Sequence, residues 1–130
     1  MNRLFLIIGS LFGGLAVILG AFGAHGLEKI TADEKILHGF QTAVQYQMYH
    51  ALALIAVAII YEKISDKWIK WAGRFFIIGI ILFCGSLYLL TFLKIEQSSF
   101  IKFAGPITPI GGLCLIAGWL ALLVGIITKK

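Results

Sequence analysis

The side chains able to do chemistry in this chain are few and unevenly spread. The densest run is Gln45-Tyr46-Gln47-Met48-Tyr49-His50, set inside an otherwise apolar segment. At 100° per residue, Tyr46 and His50 stand one turn apart on one helix face. Gln47 neighbours His50 at a spacing of three, and Tyr49 lies on the other side of Tyr46. A hydroxyl, an amide and an imidazole on one broad face could move a proton, hold a polar ligand or tie helices together. Ser86, Tyr88 and Thr91 make a second polar group, while His25 and Thr108 stand at the edges of apolar runs. His50 is the one side chain deep in such a run whose unperturbed pKa lies near neutrality. A neutral imidazole offers one donor and one acceptor, to be met by Tyr46 one turn back or by Ser86 from another helix.

Other chemistries find less support. All six acids, Glu28, Asp33, Glu34, Glu62, Asp66 and Glu96, fall in polar segments or at the ends of apolar runs. Ion-coupled transporters place an ionisable pair within the membrane, and no carboxylate, lysine or arginine sits mid-span in this chain. Cys84 and Cys114 are solitary, without CxxC spacing, and read as buried bystander thiols. Phosphate loops, dinucleotide fingerprints, GxSxG and HExxH are absent from the sequence. A haem between His25 and His50 fits poorly, because counting along the helix puts His50 about two turns deeper, roughly 10 Å at 1.5 Å per residue. The expectation is therefore no cofactor, no metal site, no catalytic residue and no enzyme.

The elements that carry these residues follow from composition. The 130 residues are 60% hydrophobic and 13% charged, whereas a soluble domain is about half apolar and about a quarter charged. Lipid is the implied solvent. Charge-free runs long enough to cross a bilayer, about 20 residues each, predict one all-α domain over residues 1–130 with spans near 4–25, 42–61, 75–93 and 108–128. The first run exceeds the 7–15 apolar residues of a secretory signal, so it is expected to stay as a span. Arg3, Lys63, Lys67, Lys70, Arg74, Lys129 and Lys130 fall on one side, against Lys29, Lys35, Lys94 and Lys102 on the other. The positive-inside rule then puts both termini in the cytoplasm, N-in and C-in. Trp68, Trp71 and Tyr61 flank the middle loop as an interfacial aromatic belt would. The net charge of +5 lies beside apolar runs, which suits lipid headgroups and not nucleic acid.

Packing is written in small residues. Gly9 and Gly13 form a GxxxG pair, continued by Gly20, and Gly111, Gly118 and Gly125 recur every seven residues in the last span. Such stripes let helix backbones approach closely in lipid; contacts within the bundle are the simpler reading, and a homo-oligomer uses the same motif. Thr108-Pro109 predicts an N-cap followed by a first helical position, with Gly111 and Gly112 allowing a neighbour to come close.

Four motifs occur in order: Gly20-Ala21-Phe22-Gly23-Ala24-His25-Gly26-Leu27, Tyr46-Gln47-Met48-Tyr49-His50-Ala51-Leu52-Ala53-Leu54, Gly85-Ser86-Leu87-Tyr88, and Ile107-Thr108-Pro109-Ile110-Gly111-Gly112 with Gly118-Trp119. Together they resemble the small membrane proteins of the domain of unknown function 423 family, whose eukaryotic relatives are called transmembrane protein 256. The resemblance implies a multi-pass protein of the bacterial cytoplasmic (inner) membrane and implies no reaction. The leading expectation is a structural or accessory membrane protein in which His25, Tyr46, Gln47, Tyr49, His50, Ser86, Tyr88 and Thr108 lock the helices in the outer half of the bundle. The alternative is a small transporter, channel or lipid-binding protein with those residues lining a pocket. Membrane lipids are the expected partners in either case.

Overall fold

Charge-free runs punctuated by polar turns fold here as helices that outlast the apolar runs themselves. In the computed structural model, which describes residues 2–64 and 67–129, the elements are α1 (Arg3–His25), α2 (Leu27–Ile30), α3 (Glu34–Lys63), α4 (Lys67–Gly79), a π-helical turn (Ile80–Cys84), α5 (Gly85–Ile95), α6 (Ile101–Ala104) and α7 (Ile107–Ile127). Asp66, one of the six acids, and Lys130, part of the positive bias, lie outside the described residues. Among the described residues, four helical stretches, Arg3–Ile30, Glu34–Lys63, Lys67–Ile95 and Ile101–Ile127, are long and apolar enough to cross a membrane.

Capping hydrogen bonds mark the start of α3 and the end of α5. Asp33 caps α3, its Oδ1 accepting from the Lys35 N–H at 2.9 Å, so the helix begins eight residues before the expected span at 42. The third helical stretch likewise begins at Lys67, eight residues before the expected span at 75, and Ile69, Ala72, Gly73 and Phe76 continue one buried stripe toward its start. It ends in a Schellman motif: Ser98 N–H reaches Leu93 O at 2.9 Å and Gln97 N–H reaches Lys94 O at 3.2 Å, with Gln97 at φ 54°. Inside this span the π turn breaks the regular ladder, and the Gly85 N–H is shared among the carbonyls of Ile80, Ile81 and Leu82.

Consecutive spans pair. α1 lies on α3 and α4 lies on α7, and the two pairs join where α3 meets α4, the π turn and α5. The outer helices present lipid-facing stripes, Leu4, Ile7, Leu11, Leu15 and Ile18 on α1 and Leu113, Ile116, Leu120, Leu123 and Ile127 on α7. Phe5, Leu54, Val57, Ile69, Phe76 and Leu115 fill the interior. At one end the Asn2 N–H lies 3.4 Å from Ala58 O, and Lys129 Nζ lies 3.5 Å from Lys63 O. The chain's beginning, the end of α3 and the end of α7 therefore share one end of the bundle.

The glycine stripes face neighbouring helices of the same chain. A Cβ at Gly9 would lie 2.8 Å from Ile55 Cγ1 and 3.1 Å from the Ala51 carbonyl oxygen, one at Gly20 3.3 Å from Val44 Cγ1, and one at Gly118 2.7 Å from the Phe76 ring. Gly13 is looser, 3.9 Å from Ala51 Cβ, and Gly112 has 3.6 Å to the Phe83 ring. Gly111 meets backbone instead of side chain: a Cβ there would run into the Phe83 backbone nitrogen and come within 2.7 Å of its Cα. The π turn thus rests, backbone on backbone, against the first turns of α7.

Candidate functional site

Gln47 projects from the buried face of α3 and is 3% exposed. Its Nε2 donates to the Phe12 carbonyl of α1 at 2.8 Å, and its Oε1 accepts from the Tyr88 hydroxyl of α5 at 2.6 Å. One amide therefore joins three helices, with both of its polar atoms engaged.

His50, one turn further along α3, is 5% exposed. Its Nδ1 lies 2.7 Å from the Tyr46 carbonyl, which can only accept, so Nδ1 carries the hydrogen. Nε2 then presents a lone pair, and the Trp119 indole N–H of α7 donates to it at 3.0 Å. The two bonds assign one neutral tautomer, inferred from partners as is usual for histidine. Phe76 closes this corner, 5.5 Å from the His50 ring and 5.1 Å from that of Trp119. Tyr46 contributes its carbonyl and a stacked ring, 6.0 Å from His50 and 5.1 Å from Phe83; Ser86, the other expected partner, bonds elsewhere.

A third tie joins α5 to α7. Ser86 Oγ donates to the Phe83 carbonyl at 2.9 Å and meets Thr108 Oγ1 at 2.6 Å. With the Ser86 hydrogen on Phe83, Thr108 is the donor between them. This corrects the sequence expectation for Thr108. The residue before α7 is Pro106, no side chain caps the helix, and the Thr108 hydroxyl faces Ser86 instead. Pro109 lies inside the helix, which starts at Ile107.

The eight residues singled out by sequence thus divide. Gln47 and Tyr88 bond to each other, Ser86 bonds to Thr108, and His50 takes the Tyr46 carbonyl. His25 is exposed at the end of α1, and Tyr49 is 55% exposed on the lipid-facing side of α3. Depth also differs from the expectation of a single outer cluster. Gly13 faces Ala51, so His50 sits near the middle of α1's length. His25 is twelve residues beyond Gly13, roughly 18 Å at 1.5 Å per residue. With both ring nitrogens of His50 committed, the two histidines cannot share one axial ligand set.

Trp119 is the partner that sequence reasoning passed over, noted only within a motif. Its signal was available, since an indole N–H within an apolar span needs an acceptor. Among the described residues, no buried side-chain nitrogen or oxygen lacks a partner. The arrangement is three separate interhelical ties at three depths. It can fix register and exclude water. It presents no nucleophile–base pair and no converging set of free donors.

Residues 19–112 match a family described as "Protein of unknown function (DUF423)". The chain is 44% identical over 122 residues to the UPF0382 membrane protein SH2409 of Staphylococcus haemolyticus, covering 94% of this chain and 93% of that one. It is 44% identical over 123 residues to the UPF0382 membrane protein YwdK of Bacillus subtilis, covering 94% of each. With the UPF0382 inner membrane protein YgdD of Escherichia coli K12 it shares 36% identity over 129 residues, 99% of this chain and 93% of that one. No solved structure matches the chain.

Proposed function

The chain belongs to the DUF423 family and is a multi-pass protein of the bacterial cytoplasmic membrane, and on that premise we propose that it serves as a structural or accessory component of that membrane and not as an enzyme. One observation carries this reading: the buried polar side chains are bonded to one another and to helix carbonyls, with none left over among the described residues. In lipid an unpaired polar group is costly, so such ties specify one packing of the four spans. The stripe glycines Gly9, Gly20, Gly111 and Gly118 pack against helices of the same chain, which supports contacts within the bundle as their use.

The Gln47–Tyr88 pair tests the reading. Tyr88→Phe or Gln47→Leu alone strands a buried partner and should cost about 1–3 kcal/mol, whereas removing both partners is nearly neutral. Melting temperatures in one detergent should fall for each single variant and recover in the double variant. If a soluble metabolite stabilises the parent and that effect disappears in the well-folded double variant, the network is a binding site and the structural reading fails.

The charge bias further supports an N-in, C-in orientation. A cysteine placed at Ala32 should react with a membrane-impermeant thiol reagent added to intact cells. One at Ser65, a position outside the described residues, should react only after lysis. The opposite pattern inverts the topology.

A further inference from the structure

Outside the network, one group of polar side chains has no partner among the described residues. Gln41 and Gln45, one turn apart on α3, and Glu28 on α2 line a cleft of about 350 Å³ walled by Gly20, Phe40 and Val44. All three polar residues are exposed. Gly20 packs on Val44, so Gln45 is level with the part of α1 about five residues inward of His25, roughly 8 Å at 1.5 Å per residue. That depth lies within the charge-free run of α1. Here an amide faces lipid where the bundle gives it nothing to bond, in contrast to the fully paired Gln47 just over half a turn away.

The mouth of the cleft carries opposite charges. Glu28 lines it directly, and an adjoining cleft that shares Leu37 and Gln41 adds Glu34, Lys35 and His38. An anion and a cation flanking one amide, with a second amide below them, match a zwitterion attached to an apolar body. We propose that this cleft holds the headgroup and glycerol ester of a membrane phospholipid bearing a primary ammonium. The ammonium donates to Glu28, the phosphate lies toward Lys35 and Gln41, and an ester carbonyl accepts from the Gln45 amide. The acyl chains remain in the bilayer, and the volume is at the small end for ligand sites, enough for the polar portion alone. A quaternary ammonium has no N–H to give Glu28, so a choline headgroup binds less well. The proposal uses groups outside the interhelical ties, so its failure leaves the structural reading intact.

The test uses the purified full chain in detergent with short-chain phosphatidylethanolamine, phosphatidylcholine and phosphatidylglycerol, read by melting temperature and by native mass spectrometry. Phosphatidylethanolamine should give the largest stabilisation and the most adduct. Glu28→Gln should abolish its advantage over phosphatidylcholine, with adduct formation about tenfold weaker, as expected for the loss of one charge-assisted hydrogen bond. Gln45→Leu should reduce the shift from every lipid. Because these side chains are exposed, each variant's shift is taken from its own lipid-free melting temperature, so a change in fold stability does not mask the result. Equal shifts from the three lipids, or an undiminished preference in Glu28→Gln, overturn the proposal. So does an equal shift from free phosphoethanolamine, which would make the ligand soluble and not a lipid.

Discussion

Gly111→Ala should be among the most damaging single-methyl additions in the bundle. The added Cβ meets the Phe83 backbone, not the end of a flexible side chain, so relief requires α7 to move away from the π turn. Overpacking of this kind costs about 1–3 kcal/mol and occasionally more. The displacement would also stretch the 2.6 Å contact between Ser86 and Thr108. Gly112→Ala is the matched control. Its Cβ would sit 3.6 Å from the Phe83 ring, an ordinary contact, and alanine favours a helix by about 1 kcal/mol over glycine. Thermal unfolding in one detergent should show Gly111→Ala well below the parent and Gly112→Ala at or above it. If the two variants melt together, the backbone contact between the π turn and α7 is wrong.

His50→Ala should produce a loss of comparable size by another route. It strands the Trp119 N–H, at about 1–3 kcal/mol for a buried unsatisfied donor, and it empties the space against Phe76, adding a cavity cost. Glutamine keeps an acceptor for Trp119 and a donor for the Tyr46 carbonyl, so His50→Gln should be milder. Trp119→Phe removes the donor from the other side. In a double-mutant cycle, His50→Ala and Trp119→Phe should be clearly non-additive. Additive losses would mean that the two rings merely share a neighbourhood, and the His50 tie would have to be given up.

Much of the architecture could be read from the chain because lipid imposes two blunt requirements. Spans must be long and apolar, and polar groups within them must find partners. The first requirement located the four crossings. The helices α3 and α4 begin before those crossings, because a charge-free window stops at Lys35 or Arg74 while an amphipathic helix runs past such residues. The second requirement picked out Gln47, His50, Ser86 and Tyr88 but could not say which bonds to which. Pairing depends on helix rotation and vertical register, and a local change of register such as the π turn at Ile80–Cys84 leaves no pattern in apolar text. Trp119 shows the same limit. Its need for an acceptor was legible, but the acceptor lies 69 residues away in sequence. His25 and Tyr49 carried the right chemistry at the wrong angle or depth, which only the packed helices reveal.

The pairing of consecutive spans has a consequence for how the protein is made. α1 and α3 can close on each other as soon as both have entered the membrane, and the bond from Gln47 to the Phe12 carbonyl forms within that first hairpin. His50 is then already in the bilayer with its Nε2 acceptor open, because Trp119 lies 69 residues further along the chain. At synthesis rates of 5–20 residues per second, the ribosome needs roughly 3–14 s to deliver that indole. Gln47 Oε1 waits in the same way for Tyr88. The half-made protein therefore carries exposed acceptors on one flank of its first hairpin, and the arrival of the second hairpin covers them. A second hairpin docked in the wrong register leaves those acceptors uncovered in lipid, where an unpaired polar group is costly.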